Sequence, residues 1–363
     1  MSATDPRDLD FMGAALSLAR RGLGNTYPNP AVGCVLVKDG CVLARGWTQP
    51  GGRPHAEAMA LAHAGQAARG ATAYVTLEPC AHQGVTPPCA DALVAAGVKR
   101  VVVAIGDPDP RVAGRGLDRL KAAGLEVVEG VRRDDAWRAN LGFFLTRTEN
   151  RPMFTLKLAT DQNGRIPGPD AQGDAKWITS PQARERGHLL RANHDAVLFG
   201  IGTVLADDPA YTCRLAGLAG QSPVRVLLDS QLRLPRTAQL IKTLDAAPLW
   251  VLCGAKAEGG EALEALGVTV VRAPSAQPKP LWVAQTLAER GLTRVLIEAG
   301  PTVATAFLDT DLVDEVAWFR AGRTLDAGGV PAFHAKPLEK LAFERQAVLN
   351  AGPDHLELYI RKA

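Results

Sequence analysis

The sequence lacks most features that mark an exported, membrane-bound or nucleic-acid-coating protein. Its 363 residues hold six cysteines, Cys34, Cys41, Cys80, Cys89, Cys213 and Cys253. They are too sparse and scattered for a disulfide framework, so a reducing, cytoplasmic setting is expected. Residues 1–10 are polar, so no secretory leader is expected. No uncharged apolar run approaches the length of a bilayer. The 41 basic and 38 acidic side chains leave a formal charge of +3, which gives no electrostatic ground for a nucleic-acid partner. Gly and Pro are dispersed, so no low-complexity linker stands out. No Gly-x-Gly-x-x-Gly follows a strand, so the usual dinucleotide fingerprint is missing.

What remains is an ordinary globular composition, 47% hydrophobic and 22% charged, on a chain long enough for two domains. The first half alternates helix and strand signals. Helices are expected at 9–21, 55–64, 90–96 and 117–123. Strands are expected at 31–38, 41–46, 71–77, 99–105 and 125–129, the first two joined by the turn Asp39-Gly40. A boundary falls near 148–152, giving domains 1–148 and 149–363. The second half keeps the α/β rhythm, with strands expected at 153–158, 196–199, 224–228, 249–253 and 295–298 and a helix at 302–308. Strand returns and loops are expected at the end. Both halves read as α/β layered domains.

The strongest chemical signal is His55-Ala56-Glu57, then Pro79-Cys80, then Pro88-Cys89. One imidazole and two thiolates make a zinc set, and three protein ligands leave a fourth position for water, as in a catalytic site. Glu57 is close enough to share the cavity without ligating, and a carboxylate there can move protons between water and a leaving amine. This is the pattern of zinc nucleobase deaminases, although the two cysteines here lie nine positions apart rather than three. His55 opens a helix, and Cys89 opens the next, where the positive end favours a thiolate. The remaining cysteines, Cys34, Cys41, Cys213 and Cys253, have no such context and read as packing residues.

The second half carries weaker signals. Gly200-Ile201-Gly202-Thr203 after a strand lets a ligand approach backbone closely. Glu298-Ala299-Gly300-Pro301-Thr302 bridges a strand and a helix whose free N–H groups suit a phosphate. Either feature is also an ordinary tight turn.

Further strings carry a resemblance. They are Pro28-Asn29-Pro30-Ala31-Val32-Gly33, Thr76-Leu77-Glu78-Pro79-Cys80, Thr86-Pro87-Pro88-Cys89 and Asp107-Pro108-Asp109-Pro110. In the second half come Trp177-Ile178-Thr179-Ser180-Pro181, Thr203-Val204-Leu205-Ala206-Asp207-Asp208-Pro209 and Glu298-Ala299-Gly300-Pro301. Together they closely resemble the bifunctional deaminase–reductase family of riboflavin biosynthesis, in order along essentially the whole chain. The resemblance implies an N-terminal cytidine-deaminase-like α/β/α domain and a C-terminal dihydrofolate-reductase-like α/β domain. It implies Zn2+ and NADPH as cofactors. It implies deamination of 2,5-diamino-6-(5-phosphoribosylamino)pyrimidin-4(3H)-one at its 2-amino group, then NADPH reduction of the opened ribose to a ribityl chain. It favours a homo-oligomer whose only other partner is the small pyrimidine nucleotide.

Site residues follow by motif match. Asn29 should contact the pyrimidine and His82 should shape the site, while Glu78 orients a loop; Asn29 between two prolines also suits a plain turn. Ala159, Trp177, Thr203, Asp207, Gly300, Pro301 and Thr302 should line the NADPH site. Arg191 and Arg214 should hold the substrate phosphate, with Ser180, Glu298 and Lys157 on the substrate. Trp177 otherwise suits a core aromatic and Arg191 a solvated helix residue. The chain departs from the family at Thr48, where His is usual, and at Val85, where Lys or Arg is usual, with Arg53 or Arg111 as substitutes for the lost basic group. It departs again at Asn163, in the Asn163-Gly164-Arg165 turn, at Ala175, where Ser is usual, and over 320–325.

Two other readings share the zinc signature. One is a tRNA adenosine deaminase, which the weak charge, the long cysteine spacing and the large second domain oppose. The other is a deaminase whose second domain only binds a ligand or drives assembly.

Overall fold

The computed structural model describes residues 5–83, 87–109, 113–168, 177–325, 329–333 and 338–362. The family departures at Val85 and Ala175, and Arg111, lie outside them. The chain forms two compact units, Met1–Asn150 and Arg151–Ala363.

In the first unit, helices α1 (Pro6–Ala19), α2 (Ala56–Ala64), α3 (Cys89–Ala95), α4 (Arg115–Ala122), α5 (Arg133–Ala139) and α6 (Leu141–Thr148) accompany one sheet. Its strands are β1 (Gly33–Lys38), β2 (Cys41–Trp47), β3 (Thr72–Val75), β4 (Arg100–Val103) and β5 (Glu126–Glu129), in the order β2-β1-β3-β4-β5. β1 runs antiparallel to both neighbours, whereas β3, β4 and β5 are parallel.

Two glycines explain the layering. A Cβ on Gly33 would lie 1.9 Å from Ala15 O of α1, and one on Gly46 would lie 2.1 Å from Ala56 O of α2. Cys34 pairs with Gly46, so those two share a face. Gly33, next to Cys34, therefore faces the opposite side. The two helices thus lie on opposite faces of the sheet, which buries β1 on both sides. Asp39 and Gly40 both have positive φ, 52° and 76°, as the two-residue hairpin turn requires.

The second unit is built on nine strands: β6 (Met153–Thr160), β8 (Ala196–Gly200), β9 (Val224–Leu228), β10 (Leu249–Cys253), β11 (Thr269–Arg272), β12 (Arg294–Ile297), β13 (Val313–Arg320), β15 (Phe343–Ala351) and β16 (Asp354–Arg361). Short β7 (Arg165–Ile166) and β14 (Val330–Pro331) pair separately. The order is β11-β10-β9-β8-β12-β6-β13-β16-β15, parallel from β11 to β13 and closed by the antiparallel β15–β16 hairpin. Helices α7 (Pro181–Ala192), α8 (Ile201–Asp207), α9 (Gln239–Lys242), α10 (Gly260–Glu264), α11 (Pro280–Glu289) and α12 (Pro301–Leu308) connect them. The chain passes from β6 to β8 and only later fills the slot between them with β12. Such a switch of strand order opens a crevice at the carboxyl ends of parallel strands. Among the described residues no helix is long and apolar enough to cross a membrane.

Three of the four cysteines read as packing, Cys34, Cys213 and Cys253, are buried. Cys41 is exposed, because it opens β2 at the rim of the hairpin turn.

Candidate functional sites

The candidate zinc ligands come from three elements. His55 is the residue before the first turn of α2, with extended backbone, so its ring stays off the helix. Cys80 follows β3 in a loop, and Cys89 opens α3. Their ligand atoms all lie within 4.8 Å of one another. His55 Nδ1 is 3.8 Å from Cys80 Sγ and 3.4 Å from Cys89 Sγ. Tetrahedral zinc at its usual bond lengths separates an imidazole nitrogen from a thiolate sulfur by about 3.6 Å, so the donors fit the ion.

Electrostatics agree. The Cys89 thiol and the His55 ring, against the pull of burial, hold Cys80 down to about 4. The Cys89 N–H donates to Cys80 Sγ at 3.3 Å. Cys89 is pushed upward, first by the sulfur of Cys80 and then by burial. One thiolate is therefore in place and the second is held back by the first, a repulsion that a divalent cation removes.

Through His55 and Cys80 the cluster opens on a cavity of about 160 Å³. Asn29, His82, Thr48, Arg53 and Glu57 line it. Glu57, in the first turn of α2, is 4% exposed. Burial and then the charge on Cys80 push its carboxyl up to about 7. Asn29 both closes a turn, its N–H donating to Thr26 O at 2.9 Å, and lines the cavity. Gly52 backs it: at φ 81°, a Cβ there would lie 2.0 Å from Asn29 Nδ2. Glu78 orients the loop, accepting from the N–H groups of Asp107 (3.2 Å), Gly114 (3.0 Å) and Gly116 (2.8 Å). Thr48 is committed to the scaffold, its Oγ1 accepting from Val32 N–H at 2.9 Å.

The linear motifs missed Phe143 and Arg147, which reach the same cavity from α6. The Arg147 guanidinium lies 5.1 Å over the Phe143 ring. Their spacing of four along one helix is the only sequence trace of the pair.

In the second unit, Glu298 follows β12 and is the hub of a buried ion cluster. Arg191 of α7 grips it with Nε at 2.6 Å and Nη2 at 2.9 Å, and Lys157 Nζ of β6 is 3.7 Å away. Burial pulls the Glu298 carboxyl up, and Arg191 and Lys157 outweigh that and leave it at about 2. Burial lowers Lys157 against the attraction of Glu298. Tyr211, missed in the sequence, completes the cluster. Its hydroxyl donates to Glu298 O at 3.0 Å, and its ring lies 5.2 Å below the Arg191 guanidinium. Arg191 is thus no solvated helix residue. Arg214 lies three residues beyond Tyr211. Ser180 caps α7: its Oγ accepts from Ala183 N–H at 3.3 Å and donates to Ala351 O at 3.1 Å, leaving one lone pair.

The residues matched to the cofactor sit around the same strand ends. Ala159 lies on β6, while Thr203 and Asp207 lie on α8, which starts directly after β8. Gly300, Pro301 and Thr302 open α12 after β12. A Cβ on Gly202 or Gly300 would meet nothing within 4 Å, so a ligand can come close to backbone there. Pro301 has no N–H to lose, and the first-turn N–H groups after it face outward. This fits an anionic cofactor. Trp177 is 54% exposed under the Arg184 guanidinium, so it is no core aromatic. The Asn163-Gly164-Arg165 turn is held by Asp161 Oδ1, which accepts from Asn163 N–H at 2.9 Å and Arg165 N–H at 2.8 Å.

Comparison with known proteins covers both units. Residues 6–105 match the cytidine and deoxycytidylate deaminase zinc-binding region, and residues 164–356 match the RibD C-terminal domain. Riboflavin biosynthesis protein RibD of Aquifex aeolicus is 40% identical over 349 residues, covering 96% of each chain. That of Escherichia coli is 40% identical over 363 residues, covering 96% of this chain and 98% of the relative. The solved structure of Acinetobacter baumannii RibD superposes with a TM-score of 0.87 at 39% identity, covering 98% of this chain and 99% of that one. A Thermotoga maritima diaminohydroxyphosphoribosylaminopyrimidine deaminase/5-amino-6-(5-phosphoribosylamino)uracil reductase gives 0.86 at 34% identity, with the same coverage. The paired catalytic centres and these full-length likenesses assign the chain to the bifunctional deaminase–reductase family of riboflavin biosynthesis.

Proposed function

We propose that residues 1–148 deaminate 2,5-diamino-6-(5-phosphoribosylamino)pyrimidin-4(3H)-one and that residues 149–363 reduce the resulting 5-amino-6-(5-phosphoribosylamino)uracil. The observation that carries this is the His55, Cys80 and Cys89 donor set, which opens through His55 and Cys80 on the same cavity as a buried Glu57. When bound, zinc supplies Lewis-acid activation of water. Glu57, held near neutral pKa, takes the water's proton and returns it to the departing amine, so water and the 2-amino group exchange for a carbonyl and ammonia. Asn29 orients the pyrimidine and His82 borders it. Glu78 keeps the ligand-bearing loop in shape.

In the second unit, Arg214 and the remaining N–H of Arg191 hold the substrate phosphate, and Ser180, Glu298 and Lys157 bind its sugar and ring. Ala159, Trp177, Thr203, Asp207 and residues 300–302 receive NADPH, which supplies the hydride. Lys157, low in pKa and beside Glu298, stands ready to give a proton to the reduced sugar. The reading extends to a cytoplasmic homo-oligomer.

The test is mass-resolved product analysis. The diaminopyrimidine phosphate is incubated with zinc-loaded protein, with and without NADPH. A deaminated product alone, converted to the ribityl product on adding NADPH, is expected. No turnover despite one zinc per chain would retain the deaminase chemistry and reject the substrate.

A further inference from the structure

His188 is a titratable group that the reading above leaves unused. It lies on α7 one helical turn before Arg191, so both side chains leave the same face. Its Nδ1 meets two donors, Nη1 of Arg191 at 3.5 Å and the backbone N–H of Arg214 at 3.4 Å. Both contacts are long, as expected where two N–H groups share one lone pair. Two donors at one nitrogen fix the tautomer: Nδ1 is bare and the neutral ring carries its proton on Nε2. The neighbouring backbone is tied to the same turn. Arg191 Nη1 donates to Thr212 O at 3.2 Å, and the Cys213 thiol donates to His188 O at 3.5 Å.

We propose that His188 is a positioning residue for the reduction: its neutral imidazole joins the helix bearing Arg191 to the segment bearing Arg214 and so preforms the site for the substrate phosphate. This rests on the reading of those two arginines as phosphate ligands. Only the neutral ring fills the role. A proton on Nδ1 would face two donors and place a third cation between two guanidinium groups. The charged groups around the ring are Arg191 on its own helix, Arg214 on the facing segment and Glu298 after β12. Burial first, then the two arginines, lower its pKa against the opposing pull of Glu298 and of a hydrogen bond from the ring to the Thr212 backbone, so the ring is neutral at pH 7.

The experiment is steady-state reduction by the full chain with NADPH, from pH 5.5 to 8, for wild type, His188→Ala and His188→Asn. Asn offers an acceptor oxygen and cannot titrate. His188→Ala should raise KM for the phosphorylated substrate about five- to tenfold at pH 7.5, the size of one lost hydrogen-bonded clasp. It should raise the Ki of ribose 5-phosphate in parallel and leave kcat and the KM for NADPH within twofold. His188→Asn should restore KM at pH 7.5. It should also remove the acid rise in KM that exceeds the part due to the substrate phosphate itself, which titrates in every variant near pH 6. An unchanged KM and Ki in His188→Ala, or a loss falling on kcat or NADPH, overturns the proposal. If His188→Ala does not fold, the pH profile of His188→Asn decides alone. If wild type reduces no such substrate, the reading of the site fails separately, and calorimetric binding of ribose 5-phosphate to the same three proteins still decides the role of His188.

Discussion

In the proposed deamination Glu57 accepts a proton and releases it within one turnover, and its burial on the first turn of α2 suits it to both. Glu57→Gln keeps the shape and loses the exchangeable proton. Zinc content should stay at one per chain while the deamination rate falls by about 10² to 10⁴, read by atomic absorption beside an ammonia-release assay. Retained deamination would exclude the proton shuttle. His194 makes a second prediction. It is 2% exposed, and its Nδ1–H donates to Leu190 O at 2.6 Å while Nε2 accepts from Thr155 Oγ1 at 3.0 Å. Burial, with Arg294, lowers its pKa to about 3. Between that value and the unfolded value near 6.5 the unfolded chain binds the extra proton, so stability falls as pH drops through this window. The loss is at most on the order of 4 to 5 kcal/mol at 1.4 kcal/mol per pH unit. Urea midpoints measured from pH 7 to 3.5 should fall more steeply for wild type than for His194→Asn. At this scale the sequence is readable where candidate site residues sit in short linear motifs, as the donors His55, Cys80 and Cys89 and the neighbouring Glu57 do. It is opaque where partners meet through the fold. Arg225, inside an apolar run, is fully buried and donates to Thr243 Oγ1 at 2.7 Å and Thr243 O at 3.0 Å, and no local pattern announces that.

At the scale of elements, the close seating of α2 on β2 matters most to the metal site, because His55 caps that helix and Glu57 lies in its first turn. Gly46→Ala would force a methyl to within 2.1 Å of Ala56 O and 2.7 Å of Ala60 N. The expected cost is about 1–3 kcal/mol, together with weaker zinc retention, whereas reduction should be unaffected. Equal zinc affinity in thermal shift and metal-competition assays would show that the helix relocates without disturbing its ligands. Strand β10 matches its sequence-expected bounds because buried parallel strands are short continuous apolar runs, and β9 matches although Arg225 interrupts its run. β13 escaped notice because Asp314 and Glu315 interrupt it. Asp314 is nonetheless buried, paired to both terminal nitrogens of Arg151 at 2.9 Å and accepting from Phe154 N–H. Helix α5 escaped too, since Arg133–Ala139 is mostly charged and only Ala136 of it is buried.

For the molecule as a whole, the two centres draw on separate residues, and among the described residues the group of candidate metal donors is His55, Cys80 and Cys89. Stripping the metal with a chelator should abolish deamination and spare reduction of pre-deaminated substrate by NADPH, measured side by side on one preparation. Loss of both would mean that the ion supports more of the fold than its own site. The nine-stranded sheet was not legible, because its β6–β12–β8 order depends on a strand inserted late in the chain.

The uneven exposure of the cysteines gives the protein a built-in gauge. Cys41 stands at the surface, and Cys34, Cys213 and Cys253 are sealed in the two cores. Cys80 is the half-buried sulfur already held as a thiolate. A maleimide added to the native, metal-filled protein should therefore attach once, at Cys41. A second attachment at Cys80 should appear as the ion leaves, so intact mass after a brief alkylation pulse reports the fraction of molecules holding zinc, with no turnover needed.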